Sequence, residues 1–201
     1  MMIAVIDYKC GNLRSVSNAL QRIGCDYRIT GDKAVIRAAS HVILPGVGEA
    51  SSTMEALKAG GLDRTLLSLT QPVLGICIGM QLMCRFSEEG NVQCLGLFDT
   101  NVRKLRVSDE LKVPHMGWNT VAQLNSPLTD GIAEGSYFYY VHSFAPEIGE
   151  QTVAITEYGT LFSAILRNDN FFGTQFHPEK SGAVGERLLS NFLKFSNKLI
   201  K

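Results

Sequence analysis

The run Val73-Leu74-Gly75-Ile76-Cys77-Ile78-Gly79-Met80-Gln81-Leu82 changes its period halfway along. Pro72 and the apolar residues up to Ile76 suit a buried strand, and from Ile78 to about Phe86 the pattern turns helical. A strand running directly into a helix is the repeating junction of α/β proteins. The same alternation fills the first half of the chain. Residues 3–6 read as a strand. Residues 12–23 read as a helix with Leu13, Val16, Ala19, Leu20 and Ile23 at helical spacing, stopped by Gly24. Residues 27–30 then suggest a strand, 33–39 a helix, 41–44 a strand, and 50–57 and 62–69 two helices. Short links between such elements imply right-handed crossovers and a parallel sheet covered on both faces.

The second half has a different texture. Residues 102–105, 118–121, 137–141, 152–155, 163–166 and 171–176 read as successive strands separated by Gly, Asn and Asp turn signals. Residues 167–170 suit a hairpin connection. Residues 183–199 read as a closing helix carrying Val184, Leu188, Leu189, Phe192 and Phe195. The expected fold is therefore α/β, a mostly parallel central sheet flanked by helices with additional antiparallel strands in the second half, in a single domain over residues 1–201.

Nineteen basic residues balance nineteen acidic ones, so no global field favours nucleic acid or an anionic membrane. The opening MMIAVIDYKCGN lacks the features of a signal peptide, and no apolar run approaches the roughly 20 residues that cross a bilayer. A cytoplasmic location is expected. Cys10, Cys25, Cys77, Cys84 and Cys94 are odd in number and form no CxxC pair, which argues against a disulfide framework or a zinc site.

Gly75-Ile76-Cys77-Ile78-Gly79 has the G-x-nucleophile-x-G form of a strand-to-helix elbow. The following helix aims unpaired amides at the corner, favouring a thiolate, and the Ile78 N–H would face an oxyanion. Taken alone, the motif is equally compatible with a packed core cysteine. Cys84 fits burial better. A thiolate needs a base, and Gln175-Phe176-His177-Pro178-Glu179 supplies a histidine with a carboxylate two residues on, projecting to the same side of an extended backbone. His115 and His142 compete for that role without a carboxylate at comparable spacing, and His41 reads as structural. Leu44-Pro45-Gly46-Val47-Gly48 follows a parallel strand and could turn a second amide, near Val47 or Gly48, toward the oxyanion; ordinary turn chemistry is the alternative.

PGVG, GICIGMQL and FHPE, in this order, resemble the class I (triad) glutamine amidotransferases, whose sheet is flavodoxin-like. IDYKCGNLRSV, VPHMGWN, GSYFYYVHSF and TQFHPEKSG narrow the resemblance to the glutaminase subunits of imidazole glycerol phosphate synthases. The resemblance implies hydrolysis of L-glutamine to glutamate and ammonia without cofactor or metal. The ammonia passes to a (β/α)₈-barrel cyclase partner in a heterodimer of histidine biosynthesis that forms imidazole glycerol phosphate and AICAR. On matching positions, it implies Cys77 as nucleophile, His177 as general base and acid, and Glu179 as its orienter. Val47, Gly48 and Ile78 would form the oxyanion hole. Gly46, Gln81, Glu89, His142, Ser143 and Phe144 would contact glutamine, and Asn12, Trp118, Tyr139 and Lys180 would face the cyclase. Lys9-Cys10 and residues 49–54 depart from the pattern near the site or interface. Two alternatives stay open: a paralogous subunit feeding ammonia to another synthase, and a non-catalytic docking module on the same fold.

Overall fold

The computed structural model describes residues 2–8, 13–46, 48–108 and 111–196. Five strands run parallel: β1 (Met2–Ile6), β2 (Asp26–Thr30), β3 (His41–Leu44), β4 (Val73–Ile76) and, from much later in the chain, β13 (Phe171–Thr174). Two antiparallel strands, β12 (Thr160–Asn168) and β11 (Thr152–Tyr158), extend the same sheet beyond β13. The order is β11-β12-β13-β4-β3-β1-β2. Every residue of β3, β4 and β13 is buried, so both sheet faces are covered, as unbroken apolar runs in a parallel sheet require.

The cover comes from helices with one apolar side. On α1 (Leu13–Ile23) Val16, Ala19 and Leu20 are buried, and on α6 (Gly182–Lys194) Leu188, Leu189 and Phe192. Asp32 caps α2 (Lys33–Ala38) by accepting from the Ala34 N–H at 2.8 Å. Gly61, left-handed, ends α3 (Ala50–Gly60) and leads into α4 (Leu62–Leu67). No helix among the described residues is long and apolar enough to cross a membrane.

Two of the boundaries that differ from expectation have a cause in the structure. The helix after Cys77, α5 (Ile78–Met83), stops short of Phe86. Its last carbonyls are taken by a crossing segment: Leu82, Met83 and Cys84 accept from the N–H groups of Leu95, Phe98 and Gly96. Phe86 instead begins β5 (Phe86–Ser87), which joins β6 (Val92–Gln93), β7 (Asn101–Lys104) and β10 (Phe144–Pro146) in a four-stranded sheet. Helix α6 ends at Lys194 rather than 199, because Phe195 turns extended while its N–H still closes on Asn191 and Phe192; residues 197–201 lie outside the described residues. A third, antiparallel pair, β8 (His115–Thr120) and β9 (Tyr137–His142), carries the remaining motifs.

Candidate active site

The corner at Cys77 is strained and tightly packed. Cys77 sits at φ 54° and ψ −110°, a conformation few side chains adopt, and its N–H donates to the Thr174 carbonyl at 2.7 Å. The flanking glycine at 79 has a steric cause. A Cβ there would lie 1.9 Å from the Leu44 carbonyl oxygen, so only a bare backbone lets β3 pass this close to α5.

The base arrives from the neighbouring strand. Parallel pairing of β13 with β4 sets Thr174 beside Ile76, which brings the residues after β13 alongside the corner. His177 Nδ1 lies 2.8 Å from Glu179 Oε1, both side chains almost fully buried. A carboxylate in this pair accepts, so Nδ1 carries the proton. Nε2 makes no hydrogen bond of good geometry among the described residues, yet the Cys77 sulfur is near enough to act on it. Burial pulls the imidazole's pKa down, but the Cys77 sulfur and the Glu179 carboxylate outweigh it and raise it to about 10.

Cys77 and His177 line one cavity of about 310 Å³, at the lower end of the range for small-ligand sites. Gly46, Gly48, Ile78, Glu89, His142, Ser143 and Phe144 line it too, with Pro114 and Val141. Glu179 stands behind His177. Glu89 Oε2 also accepts from the Ala50 N–H at 2.9 Å; burial raises its pKa, the Ala50 N–H opposes this, and Glu49 adds to it. A larger cavity, about 460 Å³, holds neither Cys77 nor His177, and its Arg103 is ion-paired with Glu88 and Glu147.

Gln81 does not line the cavity. It is buried, and its amide nitrogen is committed to the Phe144 carbonyl at 2.8 Å and Gln175 Oε1 at 2.9 Å, whereas its Oε1 has no partner among the described residues. Gln175 itself was not singled out from sequence, although its position two before His177 puts it on the same side of the strand. Val47 and Asn12 lie outside the described residues, as do Lys9 and Cys10. Trp118, about half exposed, meets the Tyr139 ring edge-on at 6.0 Å, and Lys180 Nζ sits 5.7 Å from the same ring.

The two competing histidines occupy each other. His142 Nδ1 lies 2.9 Å from the Phe144 carbonyl, which can only accept, so Nδ1 carries the proton and Nε2 accepts from His115 Nδ1 at 3.1 Å. Burial lowers the pKa of His115 to about 4. Burial, with His115 and His177 nearby, lowers that of His142 to about 3 against the opposing Phe144 carbonyl. Both are neutral at pH 7, with no ring nitrogen free to serve as a base. His41 Nε2 lies 3.0 Å from the Phe195 carbonyl, a structural contact. Burial also pushes the Cys94 thiol up to about 11, against the nearby Lys58, and the Cys84 thiol well above its ordinary value.

Comparison with known proteins agrees with this architecture. The model of the family "Glutamine amidotransferase class-I" matches residues 4–195. The chain is 56% identical over 195 residues to the imidazole glycerol phosphate synthase subunit HisH of Bacteroides fragilis strain YCH46, covering 96% of this chain and 100% of that protein. It is 50% identical over 202 residues to the subunit of the same name from Shewanella loihica, covering 96% and 90%. Among solved structures, a putative GMP synthase subunit from Thermoplasma acidophilum superposes with a TM-score of 0.75 at 19% identity, covering 96% of this chain and 92% of that one. PurLQS from Thermotoga maritima gives 0.70 at 20% identity, covering 96% and 97%. The chain belongs to the class-I glutamine amidotransferase family and, within it, groups with the HisH subunits of imidazole glycerol phosphate synthase.

Proposed function

We propose that the chain, acting as one domain, is the glutaminase subunit of an imidazole glycerol phosphate synthase, hydrolysing L-glutamine through Cys77, His177 and Glu179. The observation that carries the reading is the state of His177. Its Nδ1 is held by Glu179, its buried Nε2 makes no hydrogen bond of good geometry among the described residues, and its ring lines the cavity that Cys77 also lines.

Cys77 Sγ attacks the side-chain amide carbon, and the carbonyl oxygen becomes an oxyanion received by backbone amides at Ile78 and the 46–48 segment. Protonated His177 gives its proton to the leaving nitrogen, and ammonia departs, leaving a glutamyl thioester. Water then attacks, with His177 as base, releasing glutamate and restoring the thiolate. A pKa near 10 fits this order, since the imidazole begins protonated. Ammonia travels to a (β/α)₈-barrel cyclase docked on the face of Trp118, Tyr139 and Lys180. The HisH relatives and the exposed aromatic cluster support that partner.

Cys77→Ala in the complex with a cyclase subunit tests the reading. Glutamine hydrolysis is expected to vanish, while synthesis from added ammonium salt continues. A variant that still hydrolyses glutamine would overturn it.

A further inference from the structure

Behind the cavity wall runs a chain of buried amides that ends on the nucleophile. We propose that Gln175 is a further catalytic residue of the amide hydrolysis described above: its side-chain N–H donates to Cys77 Sγ and holds the anionic sulfur in position for attack. This rests on Cys77 being the nucleophile.

The orientation of the amides follows from their neighbours. The Phe144 carbonyl can only accept, so the Gln81 atom 2.8 Å from it is the nitrogen. The same nitrogen faces Gln175 at 2.9 Å, so the Gln175 atom there is the oxygen. Gln175 Nε2 is thereby turned to Cys77 Sγ, 3.6 Å away. Its N–H is not free to flip, because the reversed amide would set two donors against each other.

The site gives this bond weight. Gln175 is fully buried, so water does not compete for the sulfur, and a donor to an ion binds more strongly than one to a neutral group. On another side the thiol meets the Val141 carbonyl at 3.9 Å, an acceptor that suits the protonated sulfur and not the anion. Gln175 is neutral and supports the anion without neutralising it. Its backbone is fixed by an N–H bond to the Ala164 carbonyl at 2.9 Å. Between Gln175 and His177, Phe176 stacks on Phe138 at 4.0 Å, and the short stretch after β13 delivers both the amide and the imidazole to the corner.

The pH dependence of alkylation by iodoacetamide, resolved by peptide mass spectrometry on the full chain, tests the proposal without using glutamine. Gln175→Met keeps the side chain's length and removes the donor. It is expected to slow Cys77 alkylation about tenfold on the acid side of its pH profile. Cys25 and Cys94 should react as before. If Gln175→Met does not fold, Gln81→Met decides: it frees the Gln175 amide to turn, and a smaller slowing in the same direction, about threefold, is expected. An unaltered Cys77 that reacts fast, with the Gln175→Met profile lying on top of it (or the Gln81→Met profile, where that variant decides), overturns the role of Gln175 alone. An unaltered Cys77 no faster than Cys25 overturns the nucleophile reading and this one with it.

Discussion

The backbone N–H of His177 donates to the Tyr139 carbonyl at 2.9 Å, so the imidazole hangs from the strand whose aromatic side chain meets Trp118 at the surface. Ser181 closes the link: its hydroxyl donates to the His177 carbonyl at 2.7 Å and accepts from the Tyr139 N–H at 3.0 Å. Ser181→Ala leaves the Tyr139 N–H without this acceptor, while the His177 carbonyl keeps the Lys180 N–H at 3.0 Å. The substitution is expected to cost about 2 kcal/mol in urea denaturation and to lower glutamine turnover in the complex. Wild-type stability and turnover together would show that the link carries nothing.

Glu179→Gln keeps the shape beside His177 Nδ1 and removes the charge. Turnover of glutamine is expected to fall at least about 100-fold, with a much smaller change in melting temperature. The high pKa of His177 owes part of its elevation to this carboxylate. The alkaline limb of the rate profile should therefore move to lower pH in the variant. A pH–rate profile of the complex checks both.

Gly79→Ala and Gly24→Ala separate contact from conformation. Gly24 has φ +78° and open space around it, so alanine there is expected to cost about 1 kcal/mol. At Gly79 the new methyl meets the Leu44 carbonyl, backbone against backbone. A loss of at least about 3 kcal/mol, or failure to fold, is expected in denaturation. Comparable costs at the two sites would contradict the packing described for the corner.

Stability should peak near pH 6.5. His115 and His142 have folded pKa values of about 4 and about 3, below the unfolded value, so the unfolded chain takes up their protons first as pH falls from about 6.5. Each then removes about 1.4 kcal/mol per pH unit. Burial lowers His41 as well and acts in the same direction. His177 has the opposite sign: its contribution is complete below about 6.5 and is lost as pH rises through about 10. Denaturation midpoints from pH 5 to 9 should fall on both sides, and His115→Gln should flatten the acid side only.

What sequence periodicity conveys is local, and the structure divides along that line. The apolar runs of β3 and β4, the amphipathic α1, and the HxE spacing at residues 177–179 were legible because each pattern is complete within a few residues. The two-residue strands β5 and β6 carry no period, and the end of α5 is decided by carbonyls paired with residues 95–98. Gln81 reads as one more helix residue, and Gln175 as one more strand residue, until the parallel pairing of β4 with β13 joins them across 94 positions. Proximity of Cys77 to His177 has the same origin, and here the family resemblance supplied what the pattern lacked.

The Leu44 oxygen fills the space beside Gly79 so completely that β3 and the start of α5 behave as one solid piece. Sliding of the segment after Leu44 across the corner is thereby blocked. Gly46 is hemmed in by the same corner, since a methyl there would touch Ile78 and the Gly79 nitrogen. Any shift between Leu44 and Gly46 would have to turn about this contact, because there is no room to translate past it.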